Sequence, residues 1–339
     1  MITIKEIADR LGVSTTTVSN VIHGKTKEVS PANVERIQKA LVEYDYTPNI
    51  NARNLAGKHS RIIGMVFKSY RKDNENRFKD QFAGELLGAV ENRVRQLGYY
   101  LMIYAVNDIH EVQKLSMSWN MDGIIAFGFV EGEISYLRKH FRNPIVIIDD
   151  YDVSEMERCI HVRLEDLMGM YEITRYVIGC GHKKIAFLAD NDVNLDHQRF
   201  LGYCRAMEEA GLEVKKENFL KISLTADMGS DNMDELYEKS FQYTAILCSA
   251  DYHAALLINA LKDRGRKVPD DISVTGFDDI SYASLVRPAL TTVKQDIQKK
   301  GSVAVEVLVE MLEGKSGIEH HMVILPTELV VRDSVKKLS

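Results

Sequence analysis

The first 22 residues hold two short amphipathic segments joined by a glycine, and this pattern constrains the fold more than any other. Thr3 and Glu6 have the spacing of a helix capping box. The apolar face that follows comprises Ile4, Ile7, Ala8 and Leu11. Gly12 can end this helix, and Ser14 can cap a second one. The inner face of the second helix comprises Val18, Val21 and Ile22. These features predict a helix-turn-helix, whose second helix can enter the major groove of DNA.

A third predicted helix and the surface of the second support this interpretation. Ser30 can cap the third helix, and Pro31 suits its first position. The inner face of the third helix comprises Val34, Ile37, Leu41 and Tyr44. The second helix presents small hydrogen-bonding side chains that suit base edges, namely Thr15, Thr16, Ser19 and Asn20.

The charge distribution fits a protein that contacts phosphates on one face only. Residues 1–60 carry eight Lys or Arg against six Asp or Glu, a net charge of +2. The whole chain carries −6, so the remaining residues carry −8. A slightly basic head on an acidic body is typical of a DNA-binding protein with a separate second domain.

Two motifs in this region resemble the lac repressor/galactose repressor family of bacterial transcriptional regulators. The first is VSTTTVSNVIHG, residues 13–24. The second is YTPNINARNLAG, residues 46–57, which contains the pattern P-N-x-x-A-x-x-L-A-G. The resemblance extends along nearly the whole chain and implies a ligand-responsive repressor.

The second motif implies a hinge at 48–60 that becomes helical on operator DNA. Pro48 presets the first helical position, and Ala52, Leu55 and Ala56 have helical spacing. A helix of about ten residues is unstable alone in water, so a second hinge and DNA must stabilise it. The resemblance implies that Leu55 wedges between base pairs in the minor groove. The alternative is an ordinary interdomain linker.

We expect DNA contacts from both the head, 1–47, and the hinge. The candidate residues in the head are Thr3, Lys5, Ser14, Thr15, Thr16, Thr17, Ser19, Asn20 and His23. The candidates in the hinge are Asn49, Ala52, Arg53 and Leu55. One short helix reads too few base pairs for specificity in a genome, so two copies should bind a palindromic operator as a C2 homodimer.

Length and composition limit the remaining possibilities. About 280 residues follow the hinge, which is enough for two α/β lobes. The sequence shows no apolar stretch of transmembrane length and no signal peptide, so we expect a cytoplasmic protein with no membrane partner. Four scattered cysteines lack metal-ligand spacing and are expected to be reduced thiols. We predict no metal, no cofactor and, because no catalytic motif is present, no enzyme activity.

The body alternates apolar strands with amphipathic helices. The predicted strands are 62–67, 101–106, 123–127, 145–148, 185–188, 245–248, 273–276, 322–325 and 329–331. The predicted helices include 86–97, 167–178, 200–210, 254–264 and 301–312. This order predicts doubly wound parallel sheets, which bind ligands at the carboxyl ends of their strands.

Periodicity leaves open whether the body has one sheet or two. The resemblance implies two lobes, as in periplasmic sugar-binding proteins, with the chain crossing between them near Ile160, Thr292 and Pro326. We therefore expect a ligand-binding and dimerisation body at 61–339. Lobe 1 would comprise about 61–160 and 293–325, and lobe 2 about 161–292 and 326–339. The predicted fold class is α/β, with a small all-α head.

Polar residues at predicted strand ends are the candidates for ligand binding. The resemblance places Asp149, Arg199 and Asp278 at effector-contacting positions, and Phe82 at a wall position. Carboxylates and a forked guanidinium are suited to gripping sugars and other polyols. The neighbouring Asp150, Asp251 and Asp279 are expected as helix caps and interlobe contacts.

Two departures from the family pattern leave the ligand open. Ala250 stands where the family commonly has Asn, and segment 222–227 lacks an aromatic that often stacks on a sugar ring. A carbohydrate-like effector remains our expectation, with a purine or nucleoside as an alternative. A second alternative is a protein corepressor resembling a phosphocarrier, which needs a basic docking face. Arg93, Arg95 and Lys114 are too scattered to establish one. A third alternative is a cytosolic enzyme or sugar carrier, which the missing catalytic set and the missing export signal disfavour.

Overall fold

The computed structural model of the chain describes two compact units. The described residues are 2–22, 24–46, 60–68, 79–129, 132–151, 156–225, 229–315 and 321–338. The units are Met1–Ser60, here named the head, and Arg61–Ser339, here named the body. Of the predicted hinge, 48–60, only Ser60 lies among the described residues. Within these ranges, every helix is too short or too polar to cross a membrane.

The head contains the predicted helix-turn-helix. Its helices are α1 (Ile4–Leu11), α2 (Thr15–Ile22) and α3 (Pro31–Glu43). The Glu6 amide donates to Thr3 Oγ1 at 3.2 Å, and the Thr3 amide donates to Glu6 Oε2 at 2.7 Å, which completes the capping box. Gly12 ends α1 in the left-handed region at φ 65°. The Ser14 hydroxyl caps α2, whereas the Ser30 hydroxyl makes no capping hydrogen bond to α3.

The body alternates strands and helices, as predicted. Its strands are β1 (Ile62–Lys68), β2 (Tyr100–Val106), β3 (Gly123–Phe127), β4 (Ile145–Ile148), β5 (Cys159–Leu164), β6 (Ile185–Ala189), β7 (Phe219–Lys221), β8 (Ala245–Cys248), β9 (Ser273–Thr275), β10 (Thr292–Lys294), β11 (Met322–Leu325) and β12 (Glu328–Val330). Its helices are α4 (Gln81–Gln96), α5 (Ile109–Ser118), α6 (Glu133–His140), α7 (Asp166–Gly179), α8 (Asn194–Glu209), α9 (Met233–Ser240), α10 (Asp251–Asp263), α11 (Ser281–Leu285) and α12 (Ile297–Leu312).

The strands of the described residues form two parallel sheets and one short antiparallel pair. The first sheet has the order β11-β5-β4-β3-β1-β2, and the second has the order β7-β6-β8-β9. All pairings within these two sheets are parallel, whereas β10 and β12 pair antiparallel. Apolar side chains fill both sheets, because their faces are covered by helices. The α/β class with an all-α head is confirmed.

The first crossing between the sheets differs from the prediction. We expected it near Ile160, but β5 stays in the first sheet to Leu164, because it pairs with β4 as far as Val162 and with β11 as far as Leu164. The chain therefore leaves the first sheet after Leu164. The other two predicted positions fall at the short antiparallel pair: Thr292 begins β10, and Pro326 lies between β11 and β12.

Close helix packing holds the second sheet's helices in place. At Gly202 in α8, an added Cβ would lie 2.1 Å from Leu167 O and 3.0 Å from the Tyr171 amide nitrogen, both in α7. A backbone neighbour cannot move aside as the end of a flexible side chain can. Glycine at this position therefore sets the distance between α7 and α8.

We expect Gly202→Ala to lower the free energy of unfolding of the body by about 2 kcal/mol, because the methyl group overpacks this crossing. Gly179→Ala at the end of α7 is the matched control, since its Cβ would meet nothing within 4 Å. The control should change stability by less than about 1 kcal/mol. Urea denaturation of both variants checks this, and equal stabilities would show that the close approach carries no cost.

Candidate functional site

The head exposes the predicted reading face of α2. Val18 and Val21 are buried in the head core, whereas Thr15 and Thr16 on the opposite side are exposed. Ser19, Asn20 and Thr17 are half-buried, and Lys5 is exposed. The helix thus presents hydroxyls and one amide at the surface, which are groups able to contact base edges.

Two of the candidate hydroxyls already serve helix caps. Thr3 Oγ1 accepts from the Glu6 amide, and Ser14 Oγ accepts from the Thr17 amide at 3.0 Å. Ser14 Oγ also lies 2.8 Å from Thr17 Oγ1. These contacts fix the position of the loop before α2. The candidates His23, Asn49, Ala52, Arg53 and Leu55 lie outside the described residues.

Asn20 has a partner that the sequence did not suggest. Its Nδ2 donates to Glu28 Oε2 at 3.2 Å, across the turn that follows α2. An amide nitrogen carries two N–H groups, so one can donate to the carboxylate while the other and Oδ1 address a base. Glu28 therefore orients the Asn20 amide.

The body contains a cavity of about 250 Å³ at the carboxyl ends of strands from both sheets. All four predicted effector residues line it: Phe82, Asp149, Arg199 and Asp278. Asp149 follows β4 of the first sheet, and Asp278 follows β9 of the second. Parallel strands direct these residues to one place although they are distant in sequence.

On the side of the first sheet, Asp149 is held by a lysine. Lys300 Nζ lies 2.8 and 2.7 Å from the two Asp149 carboxylate oxygens. Lys300 is fully buried, and its Nζ lies 5.3 Å from the centre of the Phe82 ring. The lysine thus neutralises Asp149 and contacts the aromatic wall at once. Burial raises the pKa of Asp149, and Lys300 opposes that rise.

On the other side, the Arg199 guanidinium joins three segments. Its Nε donates to Asp166 Oδ1 at 2.8 Å, its Nη1 donates to Ser249 O, and its Nη2 lies 3.4 Å from Asp278 Oδ1. Its Cζ lies 3.6 Å from the centre of the Phe277 ring. Burial by itself lowers the pKa of Arg199, but the surrounding carboxylates outweigh it and raise that pKa, so the guanidinium stays charged.

Three cavity residues have a backbone conformation that non-glycine residues rarely adopt. The φ angles are 56° at Asp149, 48° at Asn194 and 112° at Asp278. Strain of this kind costs about 1–3 kcal/mol per residue and clusters at functional sites. It aims both carboxylates into the cavity region instead of continuing the strand.

Elements of the two sheets also touch beside the cavity. Asn194 Nδ2 donates to Phe129 O at 2.9 Å, and Gln81 Nε2 donates to Ser281 Oγ at 2.6 Å. The first contact joins the start of α8 to the end of β3, and the second joins α4 to α11. The cavity is therefore bridged by direct hydrogen bonds.

The neighbouring acids are held by other parts of the body. Asp251 Oδ2 accepts from the Ile280 amide at 2.9 Å, and Asp279 Oδ1 accepts from Arg332 Nη2 at 2.6 Å.

No group of three or more His, Cys, Asp or Glu side chains in the described ranges is arranged to hold a metal ion.

Sequence reasoning missed several polar residues at the cavity, among them Gln295 and Asp196 in its wall and Lys300 behind Asp149. Gln295 Nε2 donates to Asp278 Oδ1 at 2.6 Å, and Asn191 Nδ2 donates to Asp196 Oδ2 at 2.8 Å. Burial and the neighbouring Asp190 raise the pKa of Asp196 to about 8. Asp196 lies in the first turn of α8, three positions before Arg199, and this spacing on one helix is a signal that could have identified it.

Both parts of the chain match known families. Residues 3–49 match the family described as "Bacterial regulatory proteins, lacI family", and residues 174–335 match "Periplasmic binding protein-like domain". The HTH-type transcriptional repressor PurR of Vibrio vulnificus is 34% identical over 346 residues, which cover 100% of both chains. The HTH-type transcriptional regulator DegA of Bacillus subtilis is 30% identical over 349 residues and covers 99% of each.

Solved structures support the same fold. The lac repressor dimer bound to operator and the anti-inducer ONPF has a TM-score of 0.85 at 23% identity, with 99% of both chains covered. The complex of the transcriptional regulator CelR with cellobiose has a TM-score of 0.73 at 24% identity and covers 98% of this chain and 100% of that one.

The Asp278 carboxyl should make stability depend on pH. Burial raises its pKa to about 7 from an ordinary 3.8, although Arg199 opposes the rise. Between these values the folded chain holds a proton that the unfolded chain releases, so stability falls as pH rises. Asp278→Asn removes this dependence. Between pH 5 and pH 8 the parent should therefore lose about 2 kcal/mol of unfolding free energy through this carboxyl group, and Asp278→Asn should not. Urea denaturation at both pH values measures this, and a pH-independent difference would contradict it.

Proposed function

Because the chain belongs to the lacI family of bacterial regulatory proteins and is a DNA-binding transcriptional repressor, we propose that a small carbohydrate-like effector in the body cavity controls its operator affinity. One observation carries the effector proposal: the four residues expected from sequence line a single cavity. Two homodimerised copies bind a palindromic operator in this proposal, each placing α2 in the major groove.

The composition of the cavity wall supports a polar ligand with apolar faces. Asp149 and Asp278 can accept hydrogen bonds from hydroxyl groups, and Arg199 can donate. Phe82 and Phe127 provide apolar surface for the opposite face of a ring. The volume of about 250 Å³ is near the lower end of ligand pockets, which favours a compound of about one sugar ring.

Effector control follows from the position of the cavity at both sheets. A ligand that contacts Asp149 and Asp278 together favours one angle between the lobes over another. That angle sets the separation of the two hinges, and only hinges held close can fold and insert Leu55 in the minor groove. The ligand can shift the balance only by its differential affinity, typically 1–3 kcal/mol. We expect induction, in which the ligand weakens operator binding.

The described surface favours a small-molecule effector over a phosphocarrier-like corepressor. Arg93 Nη2 lies 2.8 Å from Glu306 Oε1, and Arg95 Nε lies 3.0 Å from Glu91 Oε1. Two of the three basic residues considered for docking are thus neutralised by neighbouring acids. A purine or nucleoside that strengthened operator binding would instead support the corepressor alternative.

Asn20→Ala should cost about 1–3 kcal/mol of binding at one base pair in each half-site and relax the preference there, because the amide reads that base. Asn33→Ala in α3 is a matched control on another helix of the head. Affinities for operators substituted at each position, measured at fixed salt, check this. Equal weakening on every sequence would refute base reading by Asn20.

Asp278→Asn should abolish the effector response and spare operator binding without ligand, since the amide keeps the shape but loses an acceptor for ligand hydroxyls. Asp270→Asn, an exposed carboxylate beside Lys336, is the control and should respond as the parent does. Operator titrations with and without a panel of sugars and nucleosides give the measurement. A fully responsive Asp278→Asn protein would place the effector elsewhere.

Reciprocity provides an independent criterion for the coupling. If the ligand changes the protein's affinity for operator by some factor, operator must change the protein's affinity for the ligand by the same factor. Unequal factors would mean that the compound acts by another route than one shared equilibrium.

A further inference from the structure

The cavity contains more buried carboxyl groups than buried cations. Four buried aspartates belong to its wall or to the Arg199 network: Asp149, Asp166, Asp196 and Asp278. The buried Lys and Arg side chains facing them are Arg199 and Lys300, and one buried imidazole, that of His253, also lines the wall. Burying an uncompensated charge is expensive, so the excess must be neutralised by protons or by a bound cation.

Lys300 and Arg199 are each engaged in a close ion pair. Lys300 Nζ contacts both oxygens of Asp149, and Arg199 Nε lies 2.8 Å from Asp166 Oδ1. Asp278 has only a longer contact of 3.4 Å to Arg199 Nη2. Asp278 and Asp196 are therefore the two carboxyl groups in excess.

Of these two carboxyl groups, Asp196 is the one without a close cation. Its side chain accepts from the Asn191 amide at 2.8 Å and is also hydrogen-bonded to Ser249 and Asp190, but no Lys or Arg nitrogen of the described residues lies within 4.0 Å of it. Burial and the neighbouring Asp190 raise its pKa to about 8, against the opposing effect of Arg199 and a hydrogen bond from Ser249, so the carboxyl group favours its protonated form at neutral pH. A positively charged ligand group would replace that proton.

A second, independent feature points to a missing donor. Gln295 lines the cavity and is only 5% exposed. Its Nε2 donates to Asp278, but its Oε1 has no hydrogen-bond partner within the described part of the chain. A buried acceptor without a donor costs about 1–3 kcal/mol, so a ligand that brings donors gains from pairing with it.

We propose that the effector carries a protonated amine, as a hexosamine does, and that its ammonium group pairs with Asp196. This proposal rests on the proposed function and names the ligand class of the same cavity. A hydroxyl donates one hydrogen bond and carries no charge, whereas an ammonium group donates three and neutralises an excess carboxylate. The hydroxyl groups of the sugar then donate hydrogen bonds to Asp149, Asp278 and Gln295.

The test compares each amine with its neutral counterpart at pH 7. Glucosamine, galactosamine and mannosamine are titrated into the full-length protein, as are glucose, galactose, mannose and the three N-acetyl derivatives. Calorimetry should show at least one amine binding tenfold or more tightly than both of its neutral counterparts. Asp196→Asn should reduce that preference to about one, because the charge is lost while Asn191 keeps an acceptor.

Asp192→Asn is the matched control, since this exposed carboxylate lies four positions before Asp196, in the loop that leads into α8, and is paired with His197. It should keep the parental preference for the amine. The proposal is overturned if every amine that binds is matched in affinity by one of its neutral counterparts, or if all three amines fail to bind. A preference that survives in Asp196→Asn would overturn the assignment of the ammonium group to that residue.

Operator binding separates this result from failure of the proposed function. Operator affinity is measured first without any sugar and then with each compound that binds. If a neutral sugar or a nucleoside changes operator affinity and no amine does, the amine proposal fails and effector control stands. If no compound that binds changes operator affinity, effector control itself fails.

Discussion

The buried guanidinium of Arg199 is the interaction on which the arrangement of the body depends. It contacts Asp166, which follows the first sheet, together with Ser249 O and Asp278, which follow strands of the second. Taking these charges out of water is costly, and only complete pairing compensates for it. Removing one partner of such a network typically costs about 3–5 kcal/mol, because the remaining charge stays buried. Arg199 therefore fixes where the ends of the two sheets meet, and the cavity exists at that meeting point.

Under the proposed effector control, the same network would make the cavity responsive as well as stable. Strained backbone at Asp149 and Asp278 and an excess of buried acid are both unfavourable in the ligand-free protein. A ligand that relieves them gains affinity in the geometry where both acids face it, and this difference between geometries is the source of coupling. If every polar group of the cavity already had a partner, the ligand affinity would differ less between one lobe angle and another.

The sequence predicted what depends on local periodicity and strand ends. Helices of the head, most strands of the body and the positions of Asp149 and Asp278 follow from apolar spacing and from acids that end apolar runs. Strand β5 was missed, because His161 and Arg163 interrupt its apolar run although both are buried. Lys300 was missed for a different reason. Next to Lys299 it resembles a solvated pair, and its partner Asp149 is 151 positions away, so no local pattern indicates the contact.

The first crossing of the chain connects this chemistry to movement between the lobes. Asp166 begins α7 directly after β5, where the chain leaves the first sheet, and α7 packs closely on α8, which carries both Arg199 and Asp196. A ligand that displaces the proton on Asp196 changes the field at Arg199, and Arg199 is bonded to the crossing itself through Asp166. The close approach at Gly202 packs α8 tightly on α7, and α7 begins at the crossing itself. In the proposed control by an amine, the ligand charge would therefore act next to the crossing between the sheets.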